Sequence, residues 1–184
     1  MNLPVYVYGS PILRKVAVDI DRDYKGLKEF IADMWDTMYK SDGVGLAAPQ
    51  VGKSIRVIVI DGSPMADDEP SMENFKLTLI NAHVIEQSGD DFVYQEGCLS
   101  LPGIREDVTR PSKIKIRYYD ENWQLHEDEF DGYKARIVQH EYDHLDGFMF
   151  VDKISFIRRR LLNSRLTAIS KGKVDVAYKI KFPK

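Results

Sequence analysis

Within residues 24–40, apolar side chains recur at Leu27, Phe30, Ile31, Met34, Trp35, Met38 and Tyr39, in alternating steps of three and one. That is the stripe of an amphipathic helix, and Ser41-Asp42-Gly43 supplies its stop. The run IRVIVID (55–61) predicts a buried strand, and the turn-rich, acidic residues 63–75 predict a surface loop. Strands are expected over 77–86, 113–119 and 124–130; Ile114, Ile116 and Tyr118 alternate with charged residues, as one half-exposed face requires. A helix is expected over 133–145. A second helical pattern over 154–170 sets Ile154, Ile157, Leu161 and Ile169 near one face, with Arg158 to Arg160 largely outside it, and 174–182 reads as a terminal strand. Strands cluster ahead of the 133–145 helix and do not alternate with helices. The class expected is α+β: antiparallel or mixed sheets around that central helix, with an N-terminal helix and a C-terminal helix plus strand.

Composition narrows the setting. The 184 residues, 43% hydrophobic and 30% charged, suit one domain over 1–184 that buries most of its apolar surface. No apolar run approaches the roughly 18 residues that cross a bilayer, so no membrane partner is expected. The opening MNLPVYVYGSPILRK has no charged segment followed by an apolar one, hence no expected secretory leader. One cysteine, Cys98, excludes an internal disulfide framework and fits a reducing cytoplasm. The net charge of −3 conceals an asymmetry, because residues 151–184 carry ten Lys or Arg against two Asp. A basic segment on an acidic body suggests a polyanionic partner such as ribosomal RNA; a solvated, Arg-rich helix face accounts for it equally well.

Chemistry concentrates in VQHEYDHLDGFMF, residues 138–150. His140 and His144 with Glu141 form H-E-x-x-H, the pattern in which two imidazoles one turn apart grip a metal beside a carboxylate base. At about 100° per residue, His144 lies about 40° round from His140 and Glu141 about 60° from His144, so all three can address one ion. A catalytic site of this kind needs a third protein ligand and an open position. Downstream there is no further His or Glu, and the extended H-E-x-x-H-x-x-G-x-x-H form fails at Phe150. The third ligand is therefore expected upstream. His83 and His126 are candidates in strand-like runs, where each could equally be an ordinary half-buried histidine. Cys98, in YQEGCLSLPG, is preferred because its thiol can point off an irregular backbone and a thiolate is a strong ligand for zinc or ferrous iron.

Three stretches, GVGLAAPQVG (43–52), EGCLSLPG (96–103) and QHEYDHLDG (139–147), together resemble the three signature motifs of peptide deformylases, in that family's order. The resemblance implies that Cys98, His140 and His144 bind one divalent metal ion, most often Fe2+, with Zn2+, Ni2+ or Co2+ tolerated. It implies that Glu141 is the general base and acid. Gln50 and the Leu99 backbone N–H would hold the developing oxyanion, and Val44 and Gly45 would offer backbone hydrogen bonds to an extended peptide. The activity implied is removal of the N-formyl group from nascent polypeptides that begin with formyl-methionine, releasing formate. Val44 and the helix near Ile137 are expected to contribute to the methionine pocket.

GVGLAA also satisfies the dinucleotide fingerprint G-x-G-x-x-A, but that motif must follow a strand and open a helix, and here it follows a helix and runs into Pro49. Two rival readings share the histidine helix: a conventional HExxH zinc metallopeptidase cutting internal peptide bonds, and a non-catalytic ribosome-binding protein with a structural metal.

Overall fold

A computed structural model describes residues 1–183. In chain order its principal elements are β1 (Val5–Tyr6), α1 (Leu27–Lys40), β2 (Gly45–Ala47), β3 (Val57–Asp61), β4 (Lys76–Cys98), β5 (Leu101–Tyr119) and β6 (Leu125–Asp131). There follow α2 (Gly132–Leu145), α3 (Phe156–Leu161), α4 (Asn163–Ser170) and β7 (Ile180–Lys181). Strands β2 to β6 form one sheet in sequence order, every neighbouring pair antiparallel. A separate parallel pair joins β1 to β7, with Val5 opposite Ile180 and Tyr6 opposite Lys181. The class is therefore α+β with an antiparallel main sheet, as the hydrophobic pattern predicts.

Helix α1 buries Leu27, Phe30, Ile31, Met34 and Met38. At roughly 1.5–3 kcal/mol for each such side chain, this burial far exceeds what the helix gains from propensity. Trp35 and Tyr39, also on the predicted stripe, lie at its margin. Their rings stack at 5.7 Å, and the Lys76 ammonium sits 4.6 Å from the Trp35 centroid. On the other side of the sheet, α2 turns Ala135, Val138 and Leu145 into a core shared with Ile58, Ile60, Leu79, Ile114 and Ile116. The far end of α2 is closed by the Ala17 N–H donating to the Leu145 carbonyl at 2.7 Å. Gly147 follows with φ +82°, and a Cβ there would lie 2.7 Å from the Arg14 carbonyl oxygen.

The strands differ from expectation chiefly in length. β4 and β5 run well past 77–86 and 113–119 to form a long hairpin with several register shifts. In its outer half β5 buries Ile104, Glu106, Val108 and Arg110 while Arg105, Asp107 and Thr109 face out. Its inward face thus carries charges, which hides the alternation. The predicted 154–170 helix is broken at Leu162 into α3 and α4. The break resets the helical phase: Leu162, Leu166 and Ile169 are buried, whereas Ile157 and Leu161 are 71% and 67% exposed. The predicted 174–182 strand pairs only at β7, although burial alternates from Val174 to Ile180. The 63–75 loop is a loop, anchored inward by Met72 and Phe75.

Candidate active site

Helix α2 carries His140 and His144 one turn apart, their ring centroids 5.4 Å from each other. Cys98 comes from the other direction. It is the last residue of β4, paired with Leu101, so only Leu99 and Ser100 separate the two long strands. The thiol therefore stands at a strand end, at a register shift between Gly97 and Cys98, the irregular backbone that its Gly and Pro neighbours suggest. Cys98 Sγ lies 3.3 Å from His144 Nε2. One ligand atom from each of Cys98, His140 and His144 lies within 4.8 Å of the others. Ligand distances of about 2.0–2.3 Å around one small divalent cation put tetrahedral neighbours roughly 3.3–3.8 Å apart. The thiol–imidazole distance matches, and one soft sulfur with two imidazoles is a donor set that such a cation takes. The other upstream candidates lie elsewhere: His83 meets Asp19 at 2.8 Å, and His126 meets Asp120 at 2.8 Å and stacks on Tyr118.

Behind the histidines lies a buried ionic cluster that sequence reasoning did not single out. Glu96 Oε1 sits 2.7 Å from His140 Nδ1, which leaves Nε2 of that ring turned to the thiol side. Such a bond fixes the tautomer and orientation of a ligand histidine. Arg110 donates to both oxygens of Glu96, at 2.7 and 2.9 Å, and to Asp143 at 2.7 Å. Arg136 donates to Glu96 at 2.7 Å and to the Val108 and Phe92 carbonyls at 2.8 and 2.6 Å. Glu96, Arg110 and Arg136 are 4%, 3% and 2% exposed, so the charges compensate each other away from water. Burial alone would raise the Glu96 carboxyl, but the bonds from His140 and Arg110 outweigh it and hold the group far below the usual carboxylate range. The available signal was modest: a Glu inside EGCLSLPG and an Arg one turn before His140.

Glu141 is 4% exposed, and its Oε2 has no hydrogen-bond partner. Burial pushes its carboxyl up to about 7. A cation alongside would favour the ionised form; either way the group can take and return a proton near neutrality. The close packing of Glu141 depends on Gly45, where a Cβ would fall 2.5 Å from Glu141 Oε1 and 2.8 Å from its Cγ and Cδ. Gln50 sits in the turn after β2, 1% exposed. Its Oε1 accepts from the Ala47 N–H at 2.9 Å, and its Nε2 reaches Ser100 Oγ at 3.2 Å and Cys98 Sγ at 3.4 Å. GVGLAA is thus an edge strand running into a 3-10 turn, not a phosphate-binding strand-to-helix junction.

Cys98, Leu99, His140, Glu141, Gln50, Val44, Gly45 and Ile137 all border one cavity of about 580 Å³. Tyr94 and Tyr133 line it as well, their rings edge-to-face at 5.1 Å. Strand β2 stands at the edge of the sheet, paired on one side with β3. Its second edge is able to accept an extended chain in backbone hydrogen bonding.

A family model described as "Polypeptide deformylase" matches residues 2–160. The peptide deformylase of Christiangramia forsetii is 50% identical over 190 aligned positions that cover 100% of this chain and 97% of the relative. That of Cytophaga hutchinsonii is 48% identical, covering 100% of this chain and 98% of the relative. Among solved structures, peptide deformylase from Thermotoga maritima superposes with a TM-score of 0.76 at 39% identity, over 84% of this chain and 99% of that one. Peptide deformylase 1B of Arabidopsis thaliana, in complex with an inhibitor, gives 0.81 at 34% identity over 93% and 92%. These likenesses take in both the strand that ends in Cys98 and the helix that carries the histidines, and they show that the chain belongs to the polypeptide deformylase family of metal-dependent amidohydrolases.

Proposed function

We propose that Cys98, His140 and His144 hold one divalent cation in this chain, Fe2+ ahead of Zn2+, Ni2+ or Co2+, and that Glu141, Gln50 and the Leu99 N–H carry the deformylation around it. The family's activity is removal of the formyl group from nascent polypeptides, and the conventional metallopeptidase reading is not favoured beside it. The observation that carries the residue assignment is the 3.3 Å approach of the Cys98 thiol to the buried His144 Nε2, with Cys98, His140 and Glu141 bordering one cavity. When bound, such a cation lowers the pKa of a water molecule and polarises an amide carbonyl.

The chain's own groups do the rest. The edge of β2 at Val44 and Gly45 holds the peptide extended, with the methionine side chain in the cavity beside Val44 and Ile137. Glu141 takes a proton as the water oxygen bonds to the formyl carbon. Gln50 Nε2 and the Leu99 N–H donate to the carbonyl oxygen as it gains charge, the arrangement in which one donor is worth about 2.7–4 kcal/mol of barrier. Glu141 then gives its proton to the amine nitrogen as the C–N bond breaks, leaving formate and a free N-terminus. Burial of the carboxyl, with one oxygen unpartnered, supports this double duty.

The substrate and the single reduced cysteine support a cytoplasmic enzyme acting as one unit over residues 1–184; no helix among the described residues is long and apolar enough to cross a membrane. Docking of the basic segment on ribosomal RNA rests on fewer cations than the sequence suggests, because Arg158 is paired with Glu106 and Arg159 with Asp152. Arg160→Glu is its test, with salt-dependent ribosome binding weakened. For the chemistry, protein loaded anaerobically with ferrous ion is to release formate from a formyl-Met peptide and leave internal bonds intact. Glu141→Gln should keep one metal per chain and lose turnover by several orders of magnitude. An active, metal-replete Glu141→Gln protein would refute the assigned role.

A further inference from the structure

The Leu99–Ser100 turn is held from outside by the two ends of the chain. Tyr178 Oη donates to the Leu99 carbonyl at 2.8 Å, and the Tyr8 N–H donates to the Ser100 carbonyl at 2.9 Å. Tyr8 and Tyr178 each stand two residues from the parallel β1–β7 pair, which is itself laced by Val5 N–H to the Lys179 carbonyl at 2.9 Å and Val7 N–H to the Lys181 carbonyl at 3.0 Å. From inside, Gln50 Nε2 reaches Ser100 Oγ at 3.2 Å. Tyr178 is half-buried and borders the same cavity as Cys98 and Leu99. Burial and the nearby Cys98 sulfur push its hydroxyl up to about 12, so it keeps the proton it donates. The match to the family model ends at residue 160, short of this tyrosine.

We infer that Tyr178 is a positioning residue for deformylation: by pinning the Leu99 carbonyl it aims the Leu99 N–H at the oxygen of the scissile formyl group. The inference rests on the donor role proposed above for Leu99. In a two-residue turn closed by the Cys98–Leu101 pair, the peptide units on either side of the Leu99 Cα move together, so fixing the carbonyl of one restrains the N–H of the other. A donor counts only if it sits in place before charge develops, and a misaimed one loses much of its value. On this reading one hydroxyl of the C-terminal segment, that of Tyr178, serves catalysis by way of the turn it holds.

The test is Tyr178→Phe in ferrous-loaded full-length protein, which removes one hydroxyl and keeps the ring. The expected result is a kcat for formate release about tenfold lower, KM within twofold, and one metal per chain. Phe182→Ala, which loosens the same segment without touching the turn, should leave kcat unchanged. A second background replaces the Cys98–Leu99 amide by an ester, deleting the Leu99 N–H; there Tyr178→Phe should cost nothing further. Unchanged kcat in Tyr178→Phe overturns the inference. So does a change confined to KM, which would make Tyr178 a substrate contact, a loss of metal, which would route its effect through Cys98, or an undiminished tenfold loss in the ester background. Equal losses in Tyr178→Phe and Phe182→Ala would reduce the tyrosine to a structural part. An ester protein with full kcat would instead refute the Leu99 donor role, and a wild-type protein releasing no formate would refute the activity itself.

Discussion

Gly45→Ala is the sharpest probe of the geometry around the proposed base. The added Cβ would stand 2.5 Å from Glu141 Oε1 and 2.8 Å from Cγ and Cδ, whereas non-bonded carbons rest about 3.5–4.0 Å apart. Relief needs a shift of about 1 Å. Glu141 can yield by swinging into the cavity it borders, away from the position described, and β2 can move away only by straining its pairing of Gly45 with Ile60. Gly45 is not among the residues with positive φ, so alanine meets no backbone penalty and the effect is one of contact. A 1 Å misplacement of a catalytic group costs about 100-fold in rate, or about 2.7 kcal/mol of barrier at 1.36 kcal/mol per tenfold. Overpacking should also lower stability by about 1–3 kcal/mol. Formate release measured against peptide concentration should show kcat near one hundredth of wild type, with one metal per chain retained. In a Glu141→Gln background the alanine should add almost nothing to the loss. Wild-type kcat in Gly45→Ala would refute the idea that this contact sets the carboxyl's working position. A full further 100-fold loss in the Glu141→Gln background would shift the effect from the base to the substrate's backbone.

Three other substitutions test separate layers. Cys98→Ala should lower metal content from one per chain towards zero in elemental analysis of anaerobically purified protein, and unchanged stoichiometry would place the third ligand elsewhere. Glu96→Ala strips the carboxylate from two buried guanidinium groups and the acceptor from His140. Denaturant unfolding of the metal-free protein should show a loss of about 3–5 kcal/mol, and metal affinity should fall about 10–100-fold; a change in neither would leave the cluster without the role given to it. Asp152 accepts from Arg14 at 2.5 Å, from Arg159 at 2.5 Å and from the Met149 N–H at 2.8 Å. Burial opposes ionisation there, but these partners prevail and hold the carboxyl below its ordinary value. Asp152→Asn should therefore cost about 1–3 kcal/mol at neutral pH. Because the folded pKa is the lower one, that difference is fully present above the unfolded value of about 3.9 and shrinks as pH falls through the folded value. A gap between wild type and variant that is constant across that range would contradict the assignment.

The parts legible in the sequence were those with one dominant physical cause. α1 and the inner half of β5 follow their apolar periodicity because packing against the sheet is nearly all that acts on them. The histidine pair is legible because helical spacing alone brings two imidazoles together. What escaped did so where polar groups are turned inward. Glu106 and Arg110 occupy buried positions of β5, so its outer half lacks an apolar alternation, and Glu96, Arg110 and Arg136 are interior only because they satisfy one another across three elements. Ile157 and Leu161 share one face with Ile169 only on a continuous helix, a phase that the break at Leu162 cancels. Cys98 was legible as the partner of the pair, ahead of His83 and His126, from its Gly- and Pro-flanked stretch; what no local pattern encodes is that a long hairpin turns there and sets the strand end beside the helix.

The unpaired edge of β2 bears on inhibition. Main-chain carbonyls are common to every residue and the amide N–H to every residue but proline, so few codon changes alter them. A peptide-like inhibitor anchored along Val44 to Ala47 would grip groups that only substitution by proline can delete, and any other escape would have to come from crowding the groove. Gly45 is where crowding is easiest to introduce, but a side chain there collides with Glu141, so on this geometry the simplest route to resistance is also a route to a disabled enzyme.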